Sequence, residues 1–204
     1  RLEAGVLVDV RLRGQDGGDD DSIRGGDDAD IIYGGFGADD LWGDLGNDQL
    51  FGDFGWLTLM GGITTVSGFD PLASVDSYVI GGADVLRGNA GDDVLVGGYA
   101  TDVLYGDDSI QDLGDDVIFG DFGEITWSGA SLLSFRSVHA AAGDSDIAYG
   151  SAGDDTILGG AAADFVYGEE GEDVLFGDHG KVTTAQGGSE VESSHEAHGG
   201  ADYL

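Results

Sequence analysis

The chain has 204 residues, of which 40 are glycine, one is proline and none is cysteine, and its 41 acidic against 7 basic side chains give a formal charge of −34. That charge excludes direct nucleic-acid binding, which needs a basic surface, and the missing cysteines exclude a disulfide scaffold. Like charge this dense opposes a compact state, yet 41% of the residues are hydrophobic and they recur regularly, so a hard cation is the simplest neutralising partner.

Taken in chain order, Leu2 to Leu12 alternates apolar with other residues and predicts a strand, the tail of a spacer over 1–15. A first repeat unit over 16–60 follows. It contains GGDDADIIY (25–33), GGFGADDLW (34–42) and GDLGNDQLF (43–51), with a period of nine. Aspartate stands at position six (Asp21, Asp30, Asp39, Asp48) and an aliphatic residue at position eight. Gly52-Asp53-Phe54-Gly55 closes the unit and leads into a strand-like Trp56–Leu59. A spacer over 61–78 holds the single proline, Pro71.

A second unit over 79–128 places Asp84, Asp93, Asp102 and Asp116 at position six. It has a short first turn at Gly81-Gly82-Ala83-Asp84 and fourteen residues instead of nine from Gly106 to Phe119. It closes on Gly120-Asp121-Phe122-Gly123 and a strand-like Glu124–Trp127, before a spacer over 129–141. The third unit, 142–185, carries Asp146, Asp155, Asp164 and Asp173 and closes on Gly177-Asp178-His179-Gly180 with Lys181–Thr184. After a spacer over 186–197, residues 198–204 open a fourth unit at Asp202, and the chain reads as a piece of a longer polypeptide. No apolar run reaches the length of a membrane span.

Glycine lets six residues turn tightly with carbonyls and one carboxylate facing inward. The next three residues form a short strand whose middle side chain, at position eight, faces the core. Two nonapeptides make one coil, so turns two repeats apart stack on one edge. A cation between stacked turns would meet two aspartates and several carbonyls, the oxygen-only set that calcium takes.

GGFGADDLW resembles the G-G-x-G-x-D-x-U-x repeat of the RTX, or hemolysin-type, calcium-binding family. The resemblance implies an all-β, right-handed parallel β-roll with calcium (Ca2+) at several sites between stacked turns and with looped-out spacers. It implies export by type I secretion machinery and folding outside the cell on meeting calcium. Carried over by position, Asp21 shares a cation with Asp39, Asp30 with Asp48, Asp84 with Asp102, Asp146 with Asp164 and Asp155 with Asp173. The chain departs from the pattern where position two is Asp44, Asn89, Ser151 or Glu169 and where position four is Asp28, Ala100 or Ala162.

Asp53, Asp121 and Asp178 have two readings: they cap the last calcium site of each unit, or they are turn residues. His195 and His198 could suggest zinc, but their spacing is not the HExxH of metalloproteases, so they read as solvent-facing spacer residues, as do His139 and His179. There is no G-x-S-x-G elbow, P-loop or cysteine nucleophile, and the chain reads as non-catalytic. Positions seven (Ile31, Val85, Val94, Val103, Val117, Phe165, Val174) and nine (Tyr33, Trp42, Phe51, Tyr105, Phe119, Tyr149, Tyr167, Phe176) should point outward. Their apolar character predicts a cover of spacer strands or self-association with another chain. Gly52–Met60 and Gly120–Ser128 keep the nine-residue phase, so Leu59 and Trp127 are expected to extend the core and carry one continuous roll between units. The function expected is a structural segment of a large secreted or surface-attached bacterial protein such as an adhesin, surface layer or filament. The alternative is the secretion module of an exported protease or lipase whose catalytic domain lies elsewhere.

Overall fold

The computed structural model describes residues 2–3, 6–7, 9–11, 18–60, 63–68, 81–107, 113–129, 131–139, 141–185, 188–193 and 201–204. Among these, every regular element is a strand. Two of the sheets are parallel. One, here the bare sheet, has the spatial order Phe165–Glu170, Ile147–Ala152, Val103–Tyr105, Val85–Ala90, Asp40–Leu45, Ser22–Asp27. The other, the covered sheet, runs Val174–Phe176, Thr156–Leu158, Val117–Phe119, Val94–Val96, Gln49–Phe51, Ile31–Tyr33.

Successive nonapeptides alternate between these sheets, so each strand pairs with the one two repeats on, as Ile23 with Leu41. The register continues across every spacer: Leu41 pairs with Leu86, Leu50 with Leu95, and Leu104 with Ala148. One roll therefore runs through the chain rather than three separate beads. Position eight fills its interior. Ile32, Leu41, Leu50, Leu86, Leu95, Leu104, Ile118, Ala148, Ile157 and Val166 form one buried ladder, with Ile23 and Leu175 partly buried at its ends. Each fully buried aliphatic side chain contributes about 1.5–3 kcal/mol.

The third sheet is antiparallel. Its order is Gly188–Ser193, Gly180–Ala185, Ser131–Ser137, Gly123–Ser128, Ile63–Ser67, Trp56–Met60, Asp9–Arg11. Each spacer supplies a pair of antiparallel strands, and the pairs lie side by side. This corrects the expected role of Leu59 and Trp127. Both stand in the antiparallel sheet, Leu59 opposite Thr64 and Trp127 opposite Leu132, and neither joins the roll interior. The N-terminal segment is also divided: Leu2–Glu3 pairs with Val6–Leu7, and only Asp9–Arg11 reaches the third sheet.

The turn that begins at Gly52 explains where the spacers leave. The Gly52 N–H donates to Val96 O and Gly35 N–H to Gly52 O, so Gly52 keeps its place in the roll. The aspartate that completes its turn is Asp84, because Val85 N–H then donates to Asp39 O. The first spacer is thus an insertion inside one nonapeptide turn. Gly120 with Asp146 and Gly177 with Asp202 repeat the arrangement. Gly106 with Asp116 is a shorter case on the opposite edge. The three long insertions leave from one edge at every second coil. Two coils and one two-stranded insertion occupy the same width, about 9–10 Å at ~4.8 Å per strand, so the insertions abut without strain.

The cover seals the covered sheet. Val66, Ile125, Phe135 and Val182 pack on Phe51, Val94, Val96, Val117, Phe119 and Leu158 in a second buried cluster. Spacer strands therefore cover positions seven and nine of this sheet, as expected, while Ile31 at its end stays exposed. The same positions of the bare sheet are not covered among the described residues. There Trp42, Tyr105, Tyr149 and Tyr167 are half-buried or exposed. Tyr105, Tyr149 and Tyr167 stack at 5.1 and 5.0 Å, and the Arg24 and Arg87 guanidinium groups lie 4.5 and 5.2 Å over Trp42. These rings cover one another along the strand ladder, each pair worth about 0.5–1.5 kcal/mol beyond its area.

Candidate metal centres

Among the described residues, the eight nonapeptides that begin at Gly25, Gly34, Gly43, Gly88, Gly97, Gly150, Gly159 and Gly168 each hold two residues in the left-handed region, at positions two and four. Where position two is Asp44, Asn89, Ser151 or Glu169, position four is glycine. Where position four is Asp28, Ala100 or Ala162, position two is glycine. The departures from the glycine pattern therefore leave the turn intact, with at most one strained residue per turn, at about 1–2 kcal/mol each. Position one is restricted differently. A Cβ on Gly97 would collide with the Gly120 carbonyl oxygen and Asp102 Oδ2, and a Cβ on Gly34 with Gly52 O and Asp39 Oδ2. A carboxylate oxygen and a main-chain carbonyl thus converge on the same small space.

These turns stack the position-six aspartates into two ladders, one on each edge. In the first, the N–H of each aspartate donates to Oδ1 of the next: Asp21 to Asp39 (2.7 Å), Asp39 to Asp84 (2.7 Å), Asp84 to Asp102 (2.8 Å), Asp102 to Asp146 (2.8 Å), Asp146 to Asp164 (2.9 Å) and Asp164 to Asp202 (3.1 Å). In the second the order is Asp30 to Asp48 (2.8 Å), Asp48 to Asp93 (2.7 Å), Asp93 to Asp116 (2.8 Å), Asp116 to Asp155 (2.9 Å) and Asp155 to Asp173 (3.1 Å). All five pairs that the family resemblance implies are adjacent. The ladders add links that cross every spacer, from Asp39 to Asp84, from Asp102 to Asp146 and from Asp164 to Asp202.

One oxygen of each carboxylate is thereby fixed. The other, Oδ2, is buried with no hydrogen-bond partner at Asp39, Asp48, Asp84, Asp102, Asp116, Asp146, Asp155 and Asp164. An unpartnered buried oxygen costs about 1–3 kcal/mol, more when charged, and the same defect at eight equivalent places is a design. Burial pushes these acids toward their neutral form: Asp155 rises to about 6, Asp84 and Asp164 to about 7, and Asp116 and Asp146 to about 9. Asp102 is raised well above the usual carboxylate range by burial and by the charge of Asp146. A divalent cation beside Oδ2 reverses that preference by favouring the charged form.

Among the described residues no three His, Cys, Asp or Glu side chains converge, as a nitrogen- or sulfur-based transition-metal site would need. The oxygens around each Oδ2 include main-chain carbonyls, the donor set of a hard cation. A family model for the RTX calcium-binding nonapeptide repeat, in four copies, matches residues 15–55, 78–109 and 141–180, more than half of the chain. The chain belongs to the RTX calcium-binding repeat family. Its repeats bind several calcium ions, and the array is structural rather than catalytic. No curated protein and no solved structure is significantly similar to it.

The structure places the remaining site residues of this RTX array as follows. Asp21 is exposed and Asp30 half-buried at one end of the ladders; Asp173 is half-buried at the other. Asp53 and Asp121 are buried, at 3% and 4% exposure, and Asp178 is half-buried. Asp107, which the spacing did not single out, is buried as well. His179 is a correction. It is buried rather than solvent-facing, because it occupies the place of Phe54 and Phe122 behind the departing aspartate. His139 is exposed, with its ring 6.2 Å from that of Phe122. His195 and His198 lie outside the described residues.

Proposed function

We propose that this segment is a calcium-set structural element of a large secreted or cell-surface bacterial protein, an adhesin, surface-layer or filament type, in which repeat units and hairpin-forming spacers alternate. The position-six aspartates Asp21, Asp30, Asp39, Asp48, Asp84, Asp93, Asp102, Asp116, Asp146, Asp155, Asp164 and Asp173 hold the ions with main-chain carbonyls of adjacent turns. The observation that carries the reading is the row of buried, unpartnered Oδ2 atoms on both edges of one uninterrupted roll. The hairpins lie side by side in one sheet, an arrangement that further units can extend, which supports the longer-array reading. The bare sheet is the surface this reading leaves for contact with a further chain.

Calcium binding supplies the folding free energy, since the unfolded chain has no formed site. Extracellular modules bind calcium at about 10⁻⁴–10⁻³ M. At cytosolic calcium the chain stays unfolded and passes the type I export machinery; outside, it folds. Far-UV circular dichroism in EDTA and then in millimolar calcium tests this. A coil-like spectrum turning into a β spectrum is the expected result, and equal β content in both conditions would refute it.

A further inference from the structure

Every insertion leaves the roll at the same place in the turn, immediately after a Gly-Asp pair: Gly52-Asp53, Gly106-Asp107, Gly120-Asp121 and Gly177-Asp178. In uninterrupted turns position two is left-handed and its side chain, where there is one, is at least partly open to solvent for Asp44, Ser151 and Glu169. At the departure points position two is not left-handed, and the turn is broken after it and completed only by the returning segment, in which Gly82 stacks on Gly37 O and Gly114 on Gly91 O.

The aspartate side chain stands in that gap. Asp53 Oδ2 accepts the Tyr99 N–H at 2.6 Å, and a Cβ on Gly81 or Gly98 would run into its carboxylate. Asp121 repeats this arrangement one unit on: Oδ2 accepts the Ala161 N–H, and Gly143 and Gly160 flank the carboxylate. The Gly82 N–H also lies near the Asp53 carboxylate and the Asp144 N–H near that of Asp121, and in both residues Oδ1 is buried without a hydrogen bond of normal geometry. Turn capping by main-chain N–H groups accounts for Oδ2 and leaves the buried Oδ1 without a well-formed partner. A cation accounts for both.

We infer that Asp53 and Asp121 each bind a calcium ion at the interrupted turn through the buried Oδ1 of the side-chain carboxylate. Asp178 holds the same position for the third insertion. The inference rests on the calcium reading of the ladders. It gives each departure point a specific role, in which the ion ties the root of each spacer hairpin to the roll, so that the cover docks only where the roll is loaded.

Native mass spectrometry of the full chain at saturating calcium counts the ions. The side-chain amide introduced by D53N or D121N keeps a carbonyl for the Tyr99 or Ala161 N–H but lacks the charge, so these two variants separate capping from coordination. Each should hold one ion fewer than the wild type and the double variant two fewer, while D44N, altered at position two of an uninterrupted turn, keeps the full count. An unchanged count in the folded double variant would overturn the inference. If the asparagine variants do not fold in calcium, calcium anomalous scattering from wild-type crystals decides. Peaks beside the Asp53 and Asp121 carboxylates support it, and peaks along the Asp39–Asp84 ladder without them overturn it. A wild-type chain that binds no calcium would instead sink the ladder reading itself.

Discussion

The Asp39 N–H donates to Asp84 Oδ1 at 2.7 Å although the whole first spacer separates the two residues. This is the same contact that Asp21 makes with Asp39 inside one unit, at the same 2.7 Å. To the ladder, the boundary between units does not exist. Asp84→Ala removes a ligand and leaves the Asp39 N–H unpaired, at about 1–3 kcal/mol for the hydrogen bond alone. It should raise the calcium midpoint of folding several-fold and split the transition in two. Asp27→Ala, at an exposed position, should change neither; calcium titrations followed by circular dichroism compare them.

Strain in the turns can be relieved one residue at a time. Ala100 and Ala162 are left-handed at φ 70, so Ala100→Gly and Ala162→Gly should each stabilise the calcium-loaded protein by about 1 kcal/mol. Gly97→Ala should do the opposite, and by more, since its Cβ would press on Gly120 O and Asp102 Oδ2. Urea midpoints in saturating calcium would show the two signs.

The cover and the ladders are separable in the same way. Phe135 is 3% exposed and packs against Phe119, ring centroids 6.3 Å apart. Phe135→Ala should cost about 3–5 kcal/mol and loosen the hairpins while the number of bound calcium ions changes little. Tyr167→Ala on the bare sheet, 40% exposed, should cost far less. Denaturant unfolding with a parallel ion count reads both.

The ninefold period, the position-six ligands and the position-eight core were all legible in the sequence because each is a local, repeated pattern. The exit point of the spacers was not. Gly52-Asp53-Phe54-Gly55 has glycine at positions one and four and so imitates a complete turn, and an antiparallel strand alternates apolar residues well enough to put Leu59 at position eight. Two signs were present nonetheless. The turn at Gly52 has Leu57 where its aspartate belongs, and Gly81-Gly82-Ala83-Asp84 has an aspartate but no opening glycine. They are the two halves of one turn. The pairing of the hairpins into a cover depends on contacts between residues 45 to 65 apart in the chain, which no local pattern encodes.

Acidity should substitute in part for calcium. Burial raises Asp155 from 3.8 to about 6, Asp84 and Asp164 to about 7, Asp116 and Asp146 to about 9, and Asp53 and Asp121 to about 8. Between those limits the metal-free folded chain holds more protons than the unfolded one. Its stability is therefore greatest near pH 4 and falls as the pH rises toward about 9. In EDTA, β structure should increase on acidification from about pH 8 to about pH 5, and calcium binding at neutral pH should release protons. Calorimetry in buffers of different ionisation enthalpy measures the release. A metal-free chain more folded at the higher pH would contradict the assignment.

Calcium should fold the roll as one continuous unit. Hydrogen exchange read by mass spectrometry during a calcium titration tests it most directly, because it reports every unit at once. Without calcium the amides of Asp39, Asp84, Asp102, Asp116 and Asp155 should exchange freely. With calcium, peptides from all three units should gain protection together, at one midpoint shared with the cover strands around Ile125 and Val182. Protection that is already present in EDTA, or that arrives at a separate calcium concentration for each unit, would contradict the account.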